Sequence, residues 1–232
     1  MTTASPTSAS PAPIVTQAAD RLRTDIISGA FAPGAKLKIQ ELQSDYGFSS
    51  SPLREALNRL SQEGLVQADA GRGFRAPELS LSDFIDITGL RLLVDLEALR
   101  KSIELGDDQW ESEIVASYYR LEKVESRLGS GPVALDNEWA TAHKSFHSML
   151  ISSCNSPRLI QFSSALFDQA DRYRRISARA RQRPRNKSKE HKQLMDATLQ
   201  RNVDLAGILL RDHINHTKEN VAKTLDPRHS EG

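Results

Sequence analysis

The sequence predicts a mainly α-helical protein, with an N-terminal winged helix-turn-helix followed by an antiparallel bundle of six to seven helices. Three observations carry this reading. Residues 33–75 run through helix, turn, helix and hairpin signals in that order. From about residue 80 onward, amphipathic stretches succeed one another, separated by short breaks marked by Gly, Pro or Asn. Outside the hairpin near residues 65–76, strand signal is nearly absent.

In chain order, Val15, Ala18, Ala19, Leu22 and Ile26 share one face of a helix over 15–28, stopped at Gly29. Pro33-Gly34 makes a turn, and Leu37, Ile39, Leu42 and Tyr46 define a short amphipathic helix ended by Gly47. Ser49, Ser50 and Ser51 offer an N-cap. Pro52 is tolerated in the first turn because its missing N–H would be unpaired there anyway. Leu53, Ala56, Leu57 and Leu60 turn inward on the next helix, which Gly64 ends. Leu65–Ala68, a Gly71-Arg72-Gly73 turn and Phe74–Ala76 form the hairpin. In such a module the second helix enters the major groove and the wing lies on the adjacent backbone.

Ser80 or Ser82 could cap the first bundle helix. Helical stretches are expected over 83–105, 109–128, 136–153, 157–182, 188–201 and 203–224. The domain plan is therefore a disordered arm over 1–13, a DNA-binding domain over 14–78, a helical metal- and effector-binding domain over 80–226, and a tail over 227–232. The hydrophobic fraction of 38% with 26% charged residues is that of a globular protein. No apolar run approaches the ~20 residues a membrane span needs. The lone Cys154 excludes an internal disulfide framework, fits a reducing cytoplasm, and reads as a buried residue rather than a redox switch.

Four histidines are the most informative feature of the second half. His143 and His147 are one turn apart, so both rings leave one face of one helix, while His191 and His213 sit on two further helical stretches. Three helices that bring imidazoles to one interior can close a site for a borderline divalent metal, zinc first and nickel or another transition metal next. The plainer reading is four unrelated histidines, solvated or hydrogen-bonded in the core. Two further readings stay open: a purely structural metal, and a metal-dependent hydrolase. Against the hydrolase, no H-E-x-x-H occurs and Glu190 would project about 100° away from His191.

The pieces PGAKL at Pro33–Leu37, S-x-x-P-L-R-E-A-L at Ser49–Leu57, E-G-L-V at Glu63–Val66 and G-R-G-F at Gly71–Phe74 resemble the GntR superfamily of bacterial transcription regulators. The remainder is similar to its FadR-type subfamily with an FCD effector domain. That likeness rests on Arg91 with Asp95 where the family has R-x-x-x-E, on Ser145–His147, on CNSPRL at Cys154–Leu159, on Glu190-His191, and on His213-Ile214. The resemblance spans roughly Val15 to Leu225. It implies a regulator that binds a pseudo-palindromic operator as a homodimer, with repression relieved by a metabolite as the expected logic. It also implies metal ligation by His147, His191 and His213. One turn earlier, where metal-binding members usually have Asp, this chain has His143.

Charge adds less. Over residues 14–78 eight basic residues meet eight acidic ones, so binding to DNA requires the basic side chains to gather on one face. Lys38, Arg54, Arg72 and Arg75 are the candidates, with Gly73 in the wing. The family pattern adds Ser49, Ser50 and Ser51, although many relatives have Arg where this chain has Ser50. Arg54 could alternatively form an ion pair with a nearby acid. A second basic cluster runs from Arg172 to Lys192 and reads mostly as a solvated face and loop. Its inward arginines could clamp a carboxylate bidentately. Arg91 ranks first for that role and Arg172 and Arg175, which share a face, come next. The expected effector is a small organic acid, a dicarboxylate or an aromatic acid.

Overall fold

The computed structural model describes residues 12–69, 71–128, 133–179 and 188–225. Most of the expected arm over 1–13, the tail over 227–232, and Arg181 to Lys187 of the basic cluster lie outside these residues. Two compact units emerge, one holding the residues up to Ile26 and Ala30–Pro77, the other Ile27–Gly29 and the chain from Glu78.

In the first unit, α1 (Ile14–Ser28) buries Ala18, Ala19, Leu22 and Ile26 completely. Helix α2 (Ile39–Tyr46) ends at Gly47, whose left-handed backbone (φ 72°) lets its N–H reach the Gln43 carbonyl. Helix α3 (Ser50–Gln62) buries Leu53, Ala56, Leu57 and Leu60 against that core. Strands β1 (Gln67–Asp69) and β2 (Gly73–Arg75) pair antiparallel, with Ala68 opposite Phe74. Leu37 N–H donates to the Phe74 carbonyl at 2.8 Å, so the segment before α2 flanks the wing. This is the expected winged helix-turn-helix.

The second unit contains six α-helices among the described residues. They are α4 (Leu81–Leu105), α5 (Asp108–Leu128), α6 (Asn137–Leu150), α7 (Pro157–Arg179), α8 (Ser188–Leu199) and α9 (Val203–Leu225), with a 3-10 turn at Val133–Leu135. Ser80 rather than Ser82 caps α4, accepting from Asp83 N–H, and Asp136 caps α6, accepting from Trp139 N–H. Helix α6 stops at Leu150, three residues before the expected end, where Cys154 N–H turns back to the Ile151 carbonyl. Helix α4 packs on α7 and α9, α5 on α6 and α8, and α8 on α9. Trp110, Ile114, Trp139, Phe146 and Cys154 fill the core between them. The two indoles are satisfied where they are buried, by the Met149 carbonyl at 2.9 Å and by Glu125 at 3.0 Å. Leu93 on α4 and Ile208 on α9 remain exposed. Among the described residues no helix is long and apolar enough to cross a membrane.

Candidate metal centre and nucleic-acid interface

At the start of α3, Ser49 occupies the N-cap position, but its hydroxyl makes no capping hydrogen bond. Ser49, Ser51 and Arg54 are exposed and Ser50 is half-buried, so three donors and a cation project around one helix N-terminus. Arg54 forms no ion pair with a described residue, contrary to the alternative reading. In the wing, Arg72 is exposed beside Gly71 and Gly73, both at positive φ (70° and 96°). Arg75 is engaged internally, donating to Asp69 at 2.9 Å and to the Gly34 carbonyl at 3.1 Å. Lys38 reaches Glu41 at 2.7 Å on the exposed surface. Arg75 is therefore engaged within the module and Lys38 pairs with a surface acid, whereas Arg54 and Arg72 meet no acid among the described residues.

The bundle brings His143, His147, His191 and His213 together. All four are buried, and their potential ligand atoms lie within 4.8 Å of one another. The i, i+4 spacing on α6 sets His143 Nε2 3.2 Å from His147 Nε2. Tetrahedral ligation with bonds of ~2.0–2.1 Å places donor nitrogens about 3.3 Å apart, so this pair already has the required separation. Burial above all, and then the neighbouring His213 and His191 and the guanidinium groups of Arg91 and Arg174, pushes His147 well below the ordinary histidine range. Its ring is neutral and keeps a lone pair for a metal. His213 Nδ1 lies 2.9 Å from Glu190 Oε2 and His191 Nδ1 3.4 Å from Glu125 Oε1. Carboxylates behind ring nitrogens are the usual device for fixing a ligand histidine's tautomer and orientation. The donor set fits a divalent ion.

His143 differs from the other three. Arg174 Nη1 lies 2.7 Å from its Nδ1, and a guanidinium can only donate, so Nδ1 is the accepting nitrogen. If that ring is neutral, its proton sits on Nε2, which lies 3.2 Å from His147 Nε2. Arg174 is buried, paired with Asp171, and stacked 4.9 Å from the Trp139 ring. Arg174, which the sequence analysis does not single out, lines the small cavity of about 20 Å³ beside the histidines, together with Arg91 and Phe167. Phe167, Ala170 and Arg174 follow the i, i+3, i+7 spacing of one inward stripe, the signal that could have found it. Arg172 and Arg175 do not line this cavity. Arg175 is held by Asp171 and by Asn137 Oδ1 at 2.9 Å. Arg172 is buried near Tyr173, Glu78 and Asp83.

Arg91 is buried on α4 and donates to Asp95 Oδ2 from both Nε (3.1 Å) and Nη2 (2.9 Å), with the Phe167 ring 5.0 Å away. A second cavity, of about 110 Å³, adjoins the first, sharing Arg91, His147 and Phe167 as walls.

Comparison with known proteins places these features. Residues 14–75 match the model for bacterial regulatory proteins of the gntR family, and residues 86–216 match the FCD domain. The uncharacterized HTH-type transcriptional regulator BphR of Paraburkholderia xenovorans is 42% identical over 194 residues, covering 84% of this chain and 79% of its own. The HTH-type transcriptional repressor GlaR of Escherichia coli is 34% identical over 197 residues, covering 83% of this chain and 89% of its own. Among solved structures, E. coli McbR/YncC superposes with a TM-score of 0.78 at 19% identity, over 93% of this chain and all of that one, a likeness of fold.

Proposed function

The chain belongs to the GntR family of bacterial regulatory proteins and carries an FCD domain, and from that premise we propose that it is a metabolite-responsive repressor with a metal-containing effector pocket. Proteins of this kind regulate transcription and are not enzymes. The hydrolase reading falls for a local reason as well: of the two carboxylates adjacent to a ligand histidine in sequence, Glu190 is engaged by His213 and Asp212 is exposed. The observation that carries the proposal is the burial of four imidazoles at ligating distances beside Arg91.

A homodimer sets two α3 helices in successive major grooves of a pseudo-palindromic operator in the cytoplasm, because two-fold protein symmetry requires two-fold DNA symmetry. Exposed Leu93 and Ile208 supply apolar surface for the pairing. Ser49, Ser50, Ser51 and Arg54 address the groove and phosphates, and Arg72 with Gly73 the flanking backbone, while Arg75 and Lys38 brace the module. His147, His191 and His213 would hold a divalent metal, zinc first; His143 joins as fourth ligand only where the Arg174 contact breaks and the ring proton moves from Nε2 to Nδ1, which frees a neutral Nε2 lone pair. When bound, that ion supplies Lewis-acidic positions for a carboxylate oxygen. Arg91 orients the carboxylate through N–H groups that Asp95 leaves available, and the named repressor among the relatives favours repression. The effector must bind one domain arrangement better than the other, or it shifts nothing.

A structural metal is the second reading, favoured by the presence of four protein nitrogens. The Arg174 contact on His143 favours the first, since it holds one of the four rings away from ligation. Elemental analysis of protein purified without a histidine tag should find about one divalent ion per chain. Organic acids should then raise the melting temperature of the loaded protein and weaken its operator binding. Equal stabilisation of loaded and stripped protein would make the metal structural.

A further inference from the structure

The cavity of about 110 Å³ lies beside Arg91 and His147, and its walls divide by chemistry: Leu150, Ile160 and Leu210 are apolar, while Asp95, Ser163 and Ser164 are polar. It holds several times the space one water needs, enough for a chain of a few carbons. Asp95 is 4% exposed and its carboxylate is nearly saturated. Arg91 donates twice to Oδ2, and Ser163 Oγ donates to Oδ1 at 2.6 Å. Of the roughly four acceptor positions on a carboxylate, one remains, on Oδ1. Arg91 Nη1 has no partner among the described residues and is available to a ligand carboxylate.

The buried Arg91–Asp95 pair is neutral as a unit, and this decides what the cavity accepts beyond the anchored carboxylate. A second carboxylate would face Asp95 with no further cation to receive it. An ammonium group would face Arg91, which already neutralises Asp95. A hydroxyl carries no charge and can donate to the open position on Oδ1. We propose that this cavity is the specificity pocket of the effector site and that it selects a short monocarboxylic acid bearing a hydroxyl group. The inference rests on the effector reading above and narrows its dicarboxylate or aromatic acid to a different class.

Calorimetric titration of the full chain, loaded with the ion found by elemental analysis, tests it with 3-hydroxybutyrate, butyrate, succinate, 3-aminobutyrate and benzoate. The hydroxy acid should bind about tenfold or more tightly than butyrate, the gain expected of a hydrogen bond to a charged acceptor. Succinate and 3-aminobutyrate should bind more weakly than butyrate. Asp95→Asn should shrink the hydroxyl advantage and improve succinate several-fold relative to butyrate, because the charge that repels it is gone. Ser163→Ala keeps the Arg91–Asp95 pair and frees a second position on Oδ1, so the hydroxyl advantage should persist or grow. Loss of the advantage in Ser163→Ala, even if Asp95→Asn does not fold, overturns the proposal. Tightest binding by succinate or benzoate overturns this pocket assignment and leaves the effector reading intact. Failure of every acid to bind the loaded protein overturns both.

Discussion

Glu190 gives the most direct handle on the candidate metal centre, because it meets His213 from outside the set of ligand histidines. Its Oε2 lies 2.9 Å from His213 Nδ1, which fixes the proton there and leaves Nε2 for the metal. Losing such an outer carboxylate costs a metal site typically ~10–100-fold in affinity, or about 1.4–2.7 kcal/mol. Two features place Glu190 toward the lower end. Its side chain is 27% exposed, so solvent weakens its field, and it also lies 3.4 Å from His216. Glu190→Ala should therefore raise the zinc dissociation constant about tenfold to thirtyfold, and Glu190→Gln by less, since an amide oxygen still accepts from Nδ1–H. Glu125 is the poorer choice, because its loss would also strand the buried Trp139 indole N–H. Competition against a chromophoric zinc chelator measures the constant, with His216→Ala as the control, which removes the competing contact and should not weaken binding. A constant for Glu190→Ala within about twofold of wild type would refute the assignment of His213 as an oriented ligand.

Three further outcomes are expected. Arg54→Ala should weaken operator binding by roughly 1–3 kcal/mol if the guanidinium reads a base edge, measured by fluorescence anisotropy at fixed salt; unchanged affinity removes Arg54 from the interface. Leu57 is completely buried in α3, so Leu57→Ala should cost about 2–5 kcal/mol in urea unfolding of the DNA-binding unit, and a loss below about 1 kcal/mol would contradict the packing. Stripping the metal with a chelator should lower the melting temperature by several degrees, and restoring free ion to about 100 times its dissociation constant should return ~2.7 kcal/mol, whereas identical melting curves would leave the four histidines as core residues.

Much of this architecture was legible because local rules and packing agree. Gly29, Gly47 and Gly64 end helices where the hydrophobic period breaks, and the Phe74 hairpin forms where the turn glycines require it. The histidine pair on α6 announced itself through i, i+4 spacing, and His191 and His213 through their placement on separate amphipathic helices. What escaped depends on distance in space. Glu190 was judged against His191, its neighbour in sequence, yet it serves His213 on the next helix. Arg174 falls in a basic cluster that reads mostly as a solvated face, although Phe167 and Ala170 define the inward stripe of α7 on which it lies. Ser49 reads as a cap by residue type, but its hydroxyl is left unused by the helix. Arg75 reads as a surface cation, yet Asp69 and the Gly34 carbonyl claim it. For Glu190 and Arg75 the deciding partner lies on another helix or across a turn.

The spread of the histidines over α6, α8 and α9 has a consequence for the lifetime of the protein. An ion shared by these helices would act as a removable cross-link over the stretch of chain from His143 to His213, since clips that close long loops constrain the unfolded chain strongly. Without the ion, the bundle would retain four polar rings in its interior and open more often. Proteases act on that open population, so a change of 1–2 kcal/mol alters steady-state abundance several-fold. Metal supply would then govern how many regulator molecules a cell keeps. Occupancy of the operator would follow it over the slow time course of protein turnover, alongside the fast response to effector.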